Sequence, residues 1–281
     1  MHRILDAHPL CRGVPETHIF RKLLLKEEQS PLRLSDITGA EKFSRIEKIF
    51  SAKGERSIEC ALSYFELLEP NLKLQNSALI EKDPRLIEHI PKLVCDNAAA
   101  MVVVMRRDPL SILSSKMEAD WSKKKGWFVN LIIGFLQSQA YRTDLQSLSR
   151  GQRKRVIEVK YEHLVRDSKN TIDQLCLSLG MDPSCNMYDH ASHSTLPIYE
   201  DESQWKQNLS RPIASYRDRY RLQAPNFVIH LMMVLYGSEV AVDERAYDQR
   251  SILLCTCASV AASVIRIFCF AVIALRRLKL V

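Results

Sequence analysis

Arg107 is the side chain best set for chemistry. It stands at the end of an uninterrupted apolar run, Met101–Met105, and is followed by Asp108, Pro109 and, eight residues on, Ser115. An arginine at a strand end facing a helix N-terminus suits a phosphate. The guanidinium supplies paired donors, and the helix end supplies backbone N–H groups and a favourable dipole. Ser115 would lie two turns into that helix and add a hydroxyl. The same residues also suit a plainer use, an Arg–Asp surface pair with a helix cap, and taken alone they favour it.

Such a site needs elements to hold it. The Val-rich run 101–105 reads as a strand covered on both faces by helices. Ser77–Ile80 and Val156–Tyr161 are further strand candidates. Helices are expected over 1–7, 17–28, 39–51 and 55–68, after Pro84 through Ile90, from Pro109, and over 127–148. Pro9, Gly13 and Pro15 mark a loop after the first helix. Asp167 or Ser168 caps a helix that ends at Gly180, 186–210 reads as irregular, and helices return over 211–219 and 225–236. Strands alternating with helices imply a parallel sheet in an α/β sandwich, where ligands bind beyond the carboxyl ends of the strands. No Gly-x-x-x-x-Gly-Lys-Ser/Thr segment occurs, which argues against a P-loop kinase.

The segment around Arg107 resembles the 3′-phosphate motif of sulfotransferases that use 3′-phosphoadenosine 5′-phosphosulfate (PAPS). In that motif a strand is followed by Arg-Asp-Pro or Arg-Asp-Gly, with a serine eight residues past the arginine. Other stretches are similar to the same family, in the same order. They are Leu5-Asp6-Ala7-His8-Pro9, Pro15-Glu16-Thr17-His18-Ile19-Phe20, Glu81-Lys82-Asp83-Pro84, the strand Val156–Tyr161 with Glu162-His163-Leu164-Val165, and Pro197-Ile198-Tyr199 followed by Trp205. The resemblance spans about residues 1–237, and its first two stretches point to the protein-tyrosine sulfotransferase branch.

The resemblance implies roles. Glu16 would be the general base for the acceptor hydroxyl. Lys82 would neutralise charge on the bridging oxygen as the sulfuryl group leaves. Arg107 and Ser115 would hold the 3′-phosphate, and Tyr161 would contact the nucleotide phosphates. Ser194, Tyr199 and Ser203 are weaker candidates in a loop covering the nucleotide. PAPS would be the co-substrate, with no metal. The acceptor would bear a hydroxyl, on protein tyrosine or alternatively on a carbohydrate, with room for a homodimer. A non-catalytic protein that keeps the scaffold is a further alternative. The implied fold is a P-loop-like three-layer sandwich with a parallel sheet, whose first strand and phosphosulfate loop would precede Leu5 and are missing, so that the chain reads as N-terminally truncated. Two departures bear on specificity: His18 stands where tyrosine-sulfating members carry Arg, and Gln204 stands where a basic residue is usual before Trp205.

Composition sets the bounds. The 281 residues, 46% hydrophobic and 26% charged, suffice for one large α/β domain with an appendage. The formal charge is +7, but Arg266, Arg276, Arg277 and Lys279 in the last stretch account for four of it, so nucleic acid is not implied as a partner. None of the cysteines before residue 251 has Cys-x-x-Cys spacing, so no structural zinc is expected, while their redox state stays open.

Ile252–Leu275 is 24 residues long with 20 apolar or Cys, which reads as a transmembrane helix whose one charge is Arg266 near its centre. The basic residues after it would place the C-terminus in the cytoplasm and the folded domain in the lumen of the Golgi. No signal sequence follows Met1, and Asn208-Leu209-Ser210 is a glycosylation sequon compatible with a lumen. The expected domains are a sulfotransferase-like domain at 1–240, a juxtamembrane linker at 241–251, the membrane helix at 252–275 and a basic tail at 276–281.

Overall fold

A computed structural model describes residues 1–13, 78–96, 100–118, 124–196, 226–237 and 252–277. In chain order it runs α1 (His2–Asp6), β1 (Cys11–Gly13), β2 (Ala78–Ile80), a 3₁₀ turn (Pro84–His89), α2 (Ile90–Asp96), β3 (Val102–Arg106), α3 (Pro109–Glu118), α4 (Gly126–Ser147), α5 (Arg150–Arg153), β4 (Val156–Lys160), α6 (Tyr161–Arg166), α7 (Ser168–Leu179), α8 (Cys185–Tyr188), α9 (His190–His193), α10 (Asn226–Tyr236) and α11 (Ile252–Arg277). The helices expected over 17–28, 39–51, 55–68 and 211–219 lie outside the described residues. The chain divides into two units. The first takes residues 1–104, 149–159 and 167–214, and the second takes 105–148, 160–166 and 215–281.

In the first unit β1 pairs parallel to β2, with Cys11 opposite Ala78 and Gly13 opposite Ile80. The sequence places Cys11–Gly13 in a loop, and three residues are too few to show a strand's period-two pattern. Pairing with Ala78–Ile80 makes it a strand. β3 pairs with β4, continued by a bond from Val102 N–H to the Arg155 carbonyl at 2.8 Å. Met105 keeps more than a third of its surface, so the expected cover on both faces of this strand is incomplete. Local chemistry sets the helix ends. Ser149 and Gln152 form a capping box at α5, with Ser149 Oγ accepting from Gln152 N–H and Gln152 Oε1 accepting from Ser149 N–H. Asp167 accepts from Asn170 N–H to start α7, and Gly180 at φ +71° ends it in the left-handed region. The stretch after Ser184, expected to be irregular, is helical through His193 as α8 and α9. One-turn helices have no apolar periodicity to betray them. Cys11, Cys95, Cys176 and Cys185 are free thiols.

In the second unit the core joins α3, α4, α10 and α11 around Leu110, Leu131, Phe135, Leu231 and Met232. The expected membrane helix does form, but it is not a membrane span. Among the described residues no helix is long and apolar enough to cross a membrane. Instead α11 packs one stripe, Ala258, Ala262, Ile265 and Cys269, into this core, and all four are at most 5% exposed. Their spacing of four, three and four is the seam of a packed helix. The two alanines put no bulk between α11 and its neighbours. Arg266, beside that stripe, donates to the carbonyl of Val234 in the last turn of α10. High apolar content alone does not separate a spanning helix from one with a protein-facing stripe, and here the stripe decides.

Candidate functional site

Arg107 and Tyr161 come together in the second unit. The Arg107 guanidinium carbon sits 4.7 Å from the centre of the Tyr161 ring, a cation–π contact. Arg107 directly follows β3, as expected, whereas Tyr161 is the first residue of α6 and not the last of its strand. The contact holds the positive centre of the guanidinium over the ring, and the N–H donors of a guanidinium lie in its plane, the direction from which a phosphate oxygen is bound.

Asp108 shapes the start of α3. Its Oδ2 accepts from the Ser111 backbone at 2.8 Å and from the Ser111 hydroxyl at 2.7 Å. Its own N–H donates to Glu162 Oε1 at 2.8 Å. The Asp108 and Ser111 N–H groups therefore serve protein carboxylates. Two of the backbone donors expected to greet a phosphate are thus engaged, and the guanidinium carries the charge. Glu162 of α6, 54 residues on, is a positioning partner that spacing alone did not reveal. Ser115 is half-buried on α3, one turn beyond Ser111 on the same face.

In the first unit Lys82 is exposed just past β2, the strand-end position expected for it. Its charge reaches His2, whose ring faces the Ile80 carbonyl at 3.2 Å. Burial first, and then Lys82, hold the His2 imidazole down at about 4.

Ser194 is held by another group than the one expected. Its hydroxyl donates to Asp6 Oδ2 at 2.8 Å. The same carboxylate accepts from Thr195 N–H at 2.7 Å, Leu196 N–H at 3.2 Å and Gly13 N–H at 2.7 Å. Arg3 completes the clamp by donating to the Leu196 carbonyl at 2.6 Å. Asp6 is 3% exposed, a carboxylate kept inside because backbone donors surround it. Sequence reasoning passed over Asp6, although it sits in the Leu-Asp-Ala-His-Pro stretch. An aspartate set within the apolar stretch Ile4-Leu5-Asp6-Ala7 was the available signal. Cys11, also buried, has its thiol pushed up to about 11 by desolvation and by the nearby Cys176, so it is a packing group and not a nucleophile.

Glu16, Tyr199 and Ser203 lie outside the described residues. Lys82 and Ser194 belong to the first unit, and Arg107, Ser115 and Tyr161 belong to the second. Among the described residues no group of acidic, His or Cys side chains could hold a metal ion.

The fold is similar to that of the sulfotransferase domain from the Synechococcus PCC 7002 olefin synthase, at 17% identity and a TM-score of 0.56, covering 88% of this chain and 89% of that one. It is also similar to the sulfotransferase domain from the curacin biosynthetic pathway, at 17% identity and a TM-score of 0.53, covering 80% of this chain and 87% of that one. At that identity the likeness shows the fold. No curated protein sequence matches. The model of the sulfotransferase family, whose members generally take their sulfuryl group from PAPS, matches residues 1–184, and the chain belongs to that family.

Proposed function

We propose that this protein transfers a sulfuryl group from PAPS to a hydroxyl, with protein tyrosine as the acceptor. The observation that carries the donor half is Arg107 just past the end of β3, its guanidinium held over the Tyr161 ring. A guanidinium already held by an aromatic ring has less freedom to lose when a phosphate binds. Arg107 and Ser115 would hold the 3′-phosphate, and Tyr161 would set the orientation of Arg107. Lys82 would balance charge on the leaving phosphate oxygen, and Glu16 would take the acceptor's proton. In this assignment Ser194 is a structural partner of Asp6, and Tyr199 remains a candidate for covering the nucleotide. The tyrosine acceptor rests on the Leu5–Pro9 and Pro15–Phe20 stretches. His18 favours a carbohydrate hydroxyl as the second reading, because the basic residue of the tyrosine-sulfating branch is absent there. The lumenal location expected from the sequence loses its spanning helix and keeps the Asn208-Leu209-Ser210 sequon as its remaining sign.

Calorimetric titration with 3′-phosphoadenosine 5′-phosphate tests the donor site. Arg107→Ala should weaken binding about tenfold or more, the loss of a charge-assisted bidentate contact, and Arg107→Lys should restore only part of it. Equal affinities would remove Arg107 from the site. Transfer of labelled sulfate from PAPS to a tyrosyl peptide or to a sugar then separates the two acceptor readings.

A further inference from the structure

α11 carries two apolar seams, and the core uses one. Ala258, Ala262, Ile265 and Cys269 are buried in the second unit. Val260, Val264, Ile267 and Ala271 repeat at the same spacing of four, three and four, displaced by two residues. Two residues turn a helix by about 200°, so this second seam lies on the side away from the core. Phe268 and Phe270 flank it, one on each side. Val260, Val264, Ile267 and both phenylalanines are each more than half exposed. The one charge between residues 252 and 275, Arg266, is engaged with the Val234 carbonyl and leaves this face apolar.

Single exposed apolar residues are ordinary, but a row of them along one helix face is not. Together they bare on the order of a few hundred Å², as much as a monomer commonly leaves open anywhere. A seam at this spacing is completed by a second helix laid along it. The face offers no charge for an acidic or basic partner to match, whereas a copy of itself meets it apolar to apolar about a two-fold axis. Charge then sets the direction. Arg276 and Arg277 close α11, Lys279 follows, and residues 251–281 hold no acid. A parallel pair would bring the two basic ends together. An antiparallel pair sets them about 35 Å apart, several Debye lengths, and opposes the helix dipoles favourably. We propose that the outer face of α11 is a homodimer interface, on which two copies pair antiparallel with Val264 of one against Ile267 of the other. The patch is smaller than the roughly 800 Å² per partner of a standard complex, so the pair should form in the micromolar range. The pairing involves the second unit alone and is independent of sulfuryl transfer.

Analytical ultracentrifugation of the full chain tests this. Between about 1 and 300 μM the mass should climb from 32.3 kDa towards twice that value and fall back on dilution. Val264→Asp and Ile267→Lys should each weaken self-association about tenfold or more, because each would press an unpaired charge against an apolar side chain. Circular dichroism and the thermal midpoint should stay unchanged, since both positions are exposed. Mixing the two variants should restore pairing, because in the antiparallel arrangement the new carboxylate and ammonium face each other. A mass that stays at one copy up to the highest concentration would overturn the proposal. So would a dimer untouched by both substitutions, which would place the contact elsewhere, or a mixture no tighter than its components, which would remove the antiparallel pairing. Co-sedimentation with phosphatidylserine vesicles that is lost in Val264→Asp, without self-association, would give the face to a lipid surface instead.

Discussion

Two aspartates, each bonded to a serine, do different work in the two units. Asp108 bonds Ser111, three residues on, and caps the helix it begins. Asp6 bonds Ser194, 188 residues on, and gathers Thr195, Leu196 and Gly13 around one buried carboxylate. The first contact stabilises a helix end. The second fixes where distant parts of the chain meet. The same pair of residue types therefore gives a local cap in one place and a tertiary knot in the other, and burial with sequence separation makes the difference. It also re-sorts the site, because the Ser194 hydroxyl is engaged with Asp6.

Breaking the knot should cost most. Asp6→Ala removes the shared acceptor of the Gly13, Thr195 and Leu196 backbone donors, a carboxylate only 3% exposed. Each buried donor left unmet costs about 1–3 kcal/mol, so urea unfolding should show a loss above about 3 kcal/mol. A loss below about 1 kcal/mol would mean that water replaces the carboxylate and that the knot is no more than a cap.

Gly13→Ala presses on the same knot without removing any of its donors or acceptors. The added Cβ would come within 2.9 Å of Leu196 Cδ1 and 3.0 Å of both the Asp6 Cβ and Asp6 Oδ1, the oxygen that accepts from the Gly13 N–H. Overpacking of this kind costs about 1–3 kcal/mol, read as a lower urea midpoint at unchanged slope. An unchanged midpoint would show that Leu196 moves aside freely.

Asp108→Ala should cost about 1 kcal/mol, the usual loss of an N-cap. A loss as large as that of Asp6→Ala would erase the contrast between the two aspartates. Because Asp108 neighbours Arg107, the same variant should be titrated with 3′-phosphoadenosine 5′-phosphate. Its affinity should fall less than that of Arg107→Ala.

The smallest effect is read from pH, since His2 is only part-buried. Its ring is held at about 4, below the ordinary 6.5, chiefly by burial, with Lys82 and the N-terminal amine adding to the shift and the Ile80 carbonyl and Asp6 opposing it. Between those values the unfolded chain binds more protons than the folded one. Stability from this group is full above about pH 6.5 and falls as pH drops towards 4. His2→Gln should flatten that part of the profile, measured by thermal unfolding across the range. An unchanged profile would assign the slope to other groups.

Much of the local structure was legible because its causes are local. Asp167 and Gly180 bracket α7, Pro109 opens α3, and the apolar repeat of α4 sets its length to within a residue or two. The Arg107–Ser115 segment was legible as a phosphate-binding candidate for the same reason: strand end, helix start and hydroxyl follow one another in the chain. The strand at Cys11–Gly13 was not legible, because its three residues become a strand by pairing with Ala78–Ile80. The fate of 252–277 was not legible either. Its hydropathy fits a lipid-facing helix as well as one with a buried seam, and packing of Ala258, Ala262, Ile265 and Cys269 settles the matter.

By itself the sequence determined where most of the described longer helices and strands begin and end, since caps, prolines and periodicity act within a few residues. It also determined the family, through motifs that keep their order along the chain. Only the tertiary structure decided which side chains meet. Tyr161 lies against Arg107, Ser194 is engaged with Asp6, and Arg266 turns from a membrane anomaly into a cap on the last turn of α10. Each of those pairings joins residues far apart in the chain, and no local propensity encodes a contact whose partner is set by how the whole core packs.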